Sequence, residues 1–313
     1  MFDLIIIGGG PAGVSAGIYA GRKKIKSLLI TDMFGGQSVV SADIQNFIGI
    51  KSISGFDLAR QMEEHLRAQE GIEIIDGDRV VSIEEKSEGE KKWFVIKTEN
   101  GKIFESKTLL LTAGSKRRKL NIPGEKEFDG KGVAYCATCD APMFKDKKVI
   151  VVGGGNVGLE SALDLLHYAS EVNVFEYKDI LKGDPITLEK VQSNLKTKIF
   201  TGVQLVEIIG DTLVREVKYN IVKTGEEKTM EIDGVFIEIG WIPNSDLVQG
   251  LVEMNGIKEI MVNHQTQQTS HPLIWAAGDI VDVRYKQNNI SMGDAVKAVL
   301  NIYEYLSKSK PRD

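Results

Sequence analysis

Two glycine-rich turns constrain this chain more than any other feature. The first, Gly8-Gly9-Gly10-Pro11-Ala12-Gly13, follows the apolar run FDLIII; the second, Gly153-Gly154-Gly155-Asn156-Val157-Gly158, follows KVIVV. A helical pattern comes after each, VSAGIYAGRK or LESALDLLHYA, and then a second apolar strand, SLLIT or EVNVF. Those strands end on acids, so 24 residues separate Gly8 from Asp32 and 23 separate Gly153 from Glu176. In such a turn Gly8 or Gly153 permits the tight bend, and Gly10 or Gly155 lets backbone approach a pyrophosphate. Gly13 or Gly158 lets the helix pack on the strand. The helix N-terminus offers free N–H groups to phosphates, and the acid can accept from ribose hydroxyls. One copy alone would be weak evidence. Two in full context, 145 residues apart, predict an α/β chain with two Rossmann-like dinucleotide-binding domains.

The intervening segments fit that plan. Residues 33–50 read as a loop in which Gly35-Gly36 could lie close to a flat ligand, and an amphipathic helix is expected at 54–69. Short strands near 72–75, 79–84, 92–98 and 103–105 suggest a small meander, and LLLTAG then stops at Ala113-Gly114. After the second turn come strand patterns at 198–200, 203–209, 213–222 and 229–233, and GVFIEIG closes at Gly240. Near the end, HPLIWAAGDI reads as a strand stopping at Ala277-Gly278-Asp279, followed by a helix of about 18 residues.

The only two cysteines lie in Tyr135-Cys136-Ala137-Thr138-Cys139-Asp140, just ahead of the second glycine turn. Thiols that close join a small ring when oxidised and can cycle between dithiol and disulfide. Half a zinc site is the dull alternative. It needs four ligands, and neither a second CxxC nor a nearby histidine pair is present; His65, His167, His264 and His271 are scattered, so no metal is expected. A net charge of −5 gives no general basis for binding nucleic acid or anionic membrane. The basic run Lys116-Arg117-Arg118-Lys119 reads as a solvated surface segment. No apolar run approaches the roughly 20 residues of a membrane span. The chain enters an apolar strand at once, without a leader pattern, and with so few cysteines a cytoplasmic protein is expected.

Taken together, GGGPAG, FGGQ, TAG, CATCD, GGGNVG, IEIGWIPN and AAGD resemble a low-molecular-weight thioredoxin reductase over essentially the whole length. The CxxC precedes the second glycine turn, whereas glutathione-reductase-type enzymes carry theirs in the flavin domain. The resemblance implies two three-layer ββα domains. An FAD domain would be built from 1–115 and 246–313, with a nicotinamide domain, 116–245, inserted between them. It implies that Gly8, Gly10, Pro11, Ala12, Gly13, Asp32, Gly36, Gln37, Asn46, Ala113, Gly114, Asp279, Lys286 and Gln287 surround FAD. Gly153, Gly155, Asn156, Val157, Gly158, Glu160, Glu176 and Gly240 would hold the nicotinamide nucleotide. Electrons would pass from nicotinamide through FAD to the Cys136–Cys139 disulfide. Cys139 would be the flavin-facing sulfur, Cys136 the interchange thiol and Asp140 the proton shuttle, its pKa raised by partial burial. Segments 116–120 and 241–247 would be hinges for a domain rotation, and the family implies a homodimer.

One region departs from the family. Where NADPH-using members carry a His-Arg-Arg cluster and a further Arg, this chain has Glu176-Tyr177-Lys178 and Lys182. Glu176 would accept from the ribose 2′-hydroxyl and repel a 2′-phosphate, so NADH is expected to be preferred over NADPH. VFEYKDILKGD and RYKQNNISMGDAVKA also resemble the flavoprotein module of bacterial alkyl hydroperoxide reductase, an NADH enzyme. That enzyme's N-terminal thioredoxin-like domains have no counterpart here, so a separate thioredoxin or glutaredoxin-like carrier is expected. The leading expectation is therefore a thioredoxin-disulfide reductase. The alternatives are a peroxiredoxin-system reductase with another carrier and a ferredoxin-fed relative that uses no nicotinamide. More distant are a ferredoxin–NADP reductase, which would lack the redox CxxC, and a non-enzymatic flavin-binding module.

Overall fold

The computed structural model describes residues 1–41 and 43–308; Ala42 of the glycine loop and 309–313 of the last expected segment lie outside it. The chain forms two compact units, Met1–Lys116 with Ile242–Asp313, and Arg117–Trp241. The expected segments broke at 115/116 and 245/246, whereas the chain passes between the units at Lys116–Arg117 and Trp241–Ile242.

The first unit opens with β1 (Phe2–Gly9), α1 (Pro11–Arg22), β2 (Ser27–Phe34), α2 (Gly55–Arg67) and β3 (Ile72–Asp76). β4 (Val80–Glu88), β5 (Lys91–Thr98) and β6 (Ile103–Leu111) follow, and β7 (Ser115–Arg117) marks the first crossing. The second unit contains β8 (Val133–Ala134), α3 (Ala137–Asp140), β9 (Lys148–Val152), α4 (Asn156–Leu166) and β10 (Glu171–Glu176). It continues with α5 (Pro185–Ser193), β11 (Thr197–Thr201), β12 (Val203–Gly210), β13 (Val214–Ile221), β14 (Glu227–Glu231) and β15 (Gly234–Ile237). After β16 (Trp241–Pro243) the chain returns to the first unit for β17 (Ile274–Ala276) and α6 (Asn288–Lys308).

Each unit is a parallel sheet between helices and a three-stranded antiparallel meander. In the first, β3-β2-β1-β6 run parallel, and β17 joins the inner half of β6 with Ile274 opposite Leu109. The outer half of β6 pairs antiparallel with β5, and β5 with β4. Two expectations are corrected here. β3 belongs to the parallel sheet and not to the meander. What read as a short strand at 103–105 and a separate LLL is one strand, β6, whose pattern changes from half-buried to fully buried along its length. The second unit has β11-β10-β9-β15-β8, all parallel, with β12-β13-β14 antiparallel.

Side-chain alternation explains the two cores in each unit. On β1, Leu4 and Ile6 join the cluster with α1, α2 and α6, while Ile5 and Ile7 join the one that includes β4 and β5. On β9, Val149 and Val151 face α4, and Ile150 and Val152 face β12 and β13. A strand buried on both faces reads as a continuous apolar run because its period-2 alternation is filled on each side. The helix at 54–69 begins where its cap dictates: Ser54 accepts from the Asp57 N–H and donates its hydroxyl to the Asp57 carboxylate. Among the described residues no helix is long and apolar enough to cross a membrane.

Candidate active site

Parallel strands carry their C-terminal ends to one edge, and in open α/β sheets ligands bind there. In the first unit that edge holds the turn after β1, Asp32 on β2, Ala113-Gly114 after β6 and Gly278-Asp279 after β17. The turn is tight because a side chain at Gly13 would fall onto the Gly8 carbonyl oxygen, and Gly8 has φ +114°. Thr112 braces it, its hydroxyl donating to the carbonyls of Ile7 and Gly8, each at 3.0 Å.

A cavity of about 850 Å³ opens at this edge, within the size range of cofactor sites. Gly8, Gly10, Pro11, Ala12, Asp32, Gly36, Gln37, Ala113, Gly114 and Asp279 all line it. Gly10 has open space where a side chain would stand, and no side chain caps α1, so its first-turn N–H groups suit an anion. Open glycine backbone, a bare helix N-terminus and an acid at the end of β2 fit a dinucleotide.

Four of the expected residues do not line the cavity. Gly13 lies beneath the turn. Asn46 donates to the Gln287 side chain at 3.2 Å, and its carbonyl accepts from Asn289 at 2.9 Å, so this group ties the 43–50 loop to the start of α6. Lys286 is buried; its ammonium pairs with Glu259 at 2.8 Å and donates to the carbonyls of Asp279 and Val281 at 3.1 and 2.6 Å. It shapes the Asp279 turn. Conversely, Val81, Ser82, Thr112, Asn244 and Asn288 line the cavity and were missed. Asn244, whose amide donates to the Ala113 carbonyl at 2.7 Å, was within sight in the IPN segment.

The second unit repeats the edge. Gly153 has φ +123°, a side chain at Gly158 would fall onto the Gly153 carbonyl, and Gly155 again faces open space. Glu176 folds over this turn: Oε2 accepts from the Gly154 N–H at 2.7 Å and Oε1 from the Lys178 N–H at 2.8 Å. Both oxygens are thereby fixed at the end of β10. Asn156 Oδ1 accepts the Asp184 N–H at 2.6 Å, joining the turn to the cap of α5. Val157 and Glu160 are exposed on α4, and Gly240, at φ +97°, accepts the Arg118 N–H at 3.0 Å.

At the same edge, following β8, Cys136 and Cys139 are joined as a disulfide with Cα atoms 5.3 Å apart. The turn closes through the Cys139 and Asp140 N–H groups, which donate to the Cys136 carbonyl at 3.2 and 3.0 Å. Buried Ala137 and Ala141 anchor it in the helix-side core, while Cys136 is half-buried and Cys139 exposed. Burial pushes the Asp140 carboxyl up to about 6, against the pull of the Arg117 guanidinium, and the Asp129 charge adds to the rise.

Arg117 corrects the reading of 116–119 as a solvated run: it is half-buried and stacks on the Trp241 ring at 4.2 Å. Glu238 was missed as well, although an acid inside the apolar closing strand GVFIEIG was a visible signal.

Comparison with known proteins agrees with this geometry. The family model described as pyridine nucleotide-disulphide oxidoreductase matches residues 2–295. A NADH dehydrogenase of Bacillus subtilis is 40% identical over 308 residues, 98% of this chain and 59% of its own. An alkyl hydroperoxide reductase flavoprotein chain of Staphylococcus epidermidis is 39% identical, over 98% of this chain and 60% of its own. This chain therefore spans about three-fifths of the length of those relatives. The crystal structure of thioredoxin reductase from Streptococcus pyogenes superposes with a TM-score of 0.89 at 33% identity, covering 98% of this chain and 99% of that one.

Proposed function

The chain belongs to the pyridine nucleotide-disulphide oxidoreductase family and, within it, to the low-molecular-weight thioredoxin reductase class, and from that premise we propose that it is a thioredoxin-type disulfide reductase fed by NADH through FAD. The observation that carries this reading is the Cys136–Cys139 disulfide with Asp140 beside it, on the same sheet edge as a nucleotide turn. When bound, a flavin supplies a two-electron relay between a nicotinamide and a disulfide.

The chain's own residues do the rest. In the dithiol form the Cys136 thiolate attacks a partner disulfide, forming a mixed disulfide and expelling one partner sulfur. The Cys139 thiolate then attacks Cys136, closing the intramolecular disulfide and releasing the partner's second sulfur. Asp140, held at about 6, can hand a proton to a departing thiolate and take one back as the pair is reduced. In the first unit, the open glycine turn and Asp32 bind and orient the adenine nucleotide end, and Lys286 fixes the turn that carries Asp279.

Glu176 supports NADH as donor. Its oxygens are locked by two backbone N–H groups at the site of a ribose, where a carboxylate welcomes hydroxyls and opposes a 2′-phosphate. Lys178 and Lys182 provide no arginine fork for that phosphate. Steady-state kinetics with each nucleotide test this; a higher kcat/KM with NADPH would refute it. The partner is a thioredoxin-like protein. The likeness to the alkyl hydroperoxide reductase chain supports a second reading, a peroxiredoxin-system reductase with a different carrier. Turnover with a glutaredoxin-like carrier and none with thioredoxin would select it.

A further inference from the structure

A second carboxyl stands behind the redox turn, and disulfide exchange as read above leaves it unused. Glu238 directly follows β15 and is only 8% exposed. Its Oε1 accepts the N–H of Ala137, the residue after Cys136, at 3.4 Å. The Ser161 hydroxyl on the buried face of α4 bonds the same carboxyl. Burial penalises a carboxylate far more than a carboxylic acid. Glu238 is accordingly pushed up to about 7, against the pull of Arg117, Ser161 and the Ala137 N–H, with the Asp140 charge raising it further.

The charged groups that face the two acids come from three elements. Arg117 of β7 acts on both, Asp129 acts on Asp140, and the acids act on each other. Nearby, Thr138 donates to Asp164 of α4 at 3.1 Å, and Tyr135 to Glu125 at 3.0 Å. Asp140 ionises first, and Glu238 then ionises against that charge, so the two titrate as a coupled pair.

From this geometry we propose that Glu238 is a positioning residue for the redox pair: anchored on the peptide N–H beside Cys136, its carboxyl sets how much thiolate the reduced pair presents. The inference rests on the pair cycling between disulfide and dithiol, as proposed above. When the disulfide opens, two electrons enter, the S–S bond breaks and two protons are taken up. One proton makes a thiol. The other is divided between the second sulfur and Glu238. With that proton on Glu238 the sulfur is a thiolate; with Glu238 ionised, its negative charge keeps the proton on sulfur. A Glu238 that did no more than satisfy the Ala137 N–H would be replaced by Gln without any change in thiol ionisation.

The test uses the holoprotein reduced with dithiothreitol, which gives up two electrons and two protons as it closes to its own cyclic disulfide. Alkylation of Cys136 by iodoacetamide is followed from about pH 5.5 to about 9.5 in the wild type and in Glu238→Gln. Gln keeps an oxygen for the Ala137 N–H and removes the charge. The thiol pKa in the variant should fall by about one unit, giving about tenfold more thiolate below it. An unchanged or raised profile overturns the proposal. If the variant does not fold, the wild type still decides: infrared difference spectra at about pH 8 should gain a protonated-carboxyl band on reduction, since Glu238 then takes up a proton. Absence of that band overturns it too. Neither readout involves thioredoxin or a nicotinamide, so failure of turnover with those would count against the proposed function alone.

Discussion

At the scale of single residues, Asp140 makes the sharpest statement. A carboxyl held at about 6 is mostly protonated below that pH and mostly ionised above it. If it serves as the acid for departing thiolates, the rate of disulfide interchange should fall as pH rises through about 6 and level off beyond. Asp140→Asn should lower interchange by about 10²–10⁴-fold and abolish that inflection. Rapid-mixing measurement of interchange with an oxidised carrier checks both; an Asn variant that kept the wild-type rate would remove Asp140 from the mechanism. The CxxC-acid box was fully legible in the sequence, because two cysteines and an acid in six residues are chemically distinctive. Arg117 and Glu238 were not. Arg117 sits in a basic run whose ordinary fate is a solvated surface, and only the three-dimensional approach of Trp241 turns it inward. Glu238 lies in a strand read for its apolar residues, and its importance comes from a contact across 101 positions of sequence to Ala137.

At the scale of elements, the strand–turn–helix units set the site. Both glycine turns were readable with their acids, since the close approach of backbone to backbone restricts the residue type. The structure shows the restriction directly: a side chain at Gly13 or Gly158 lands on a carbonyl oxygen of its own turn. Gly158→Ala should therefore push α4 away from β9. The strain should be about 1–3 kcal/mol. Nucleotide affinity should fall while flavin content is retained; calorimetric titration with NADH and the visible absorbance check the two parts. Gly13→Ala should show the converse, loss of flavin on purification. Equal retention of both ligands in both variants would contradict the assignment of the turns. What stayed hidden at this scale was partnership. β6 shares its two halves between β5 and β17, so its residues change pattern midway and read as two strands.

On the scale of the whole molecule, the two units use one plan with a different order of chain. Each has a five-stranded parallel sheet, but the fifth strand is β17, from the far end of the chain, in the first unit. In the second it is β8, which precedes the glycine turn. The second unit is thus continuous from Arg117 to Trp241 and has two complete cores of its own. Such a unit should fold when expressed alone, with cooperative unfolding in urea and slowly exchanging amides on β9 and β10. Ile150→Ala, which removes a fully buried side chain between β9 and the meander, should destabilise that unit by about 2–5 kcal/mol. An isolated unit without cooperative unfolding would show that its cores depend on the rest of the chain. The central claim concerns electron flow into the one disulfide. Under anaerobic conditions the flavoprotein is given NADH, its thiols are trapped by alkylation and counted, and oxidised thioredoxin is added to a second sample before trapping. The account predicts that Cys136 and Cys139 become alkylated after NADH, and that thioredoxin restores their disulfide while becoming reduced itself. Flavin bleaching with Cys136 and Cys139 still unlabelled would contradict it.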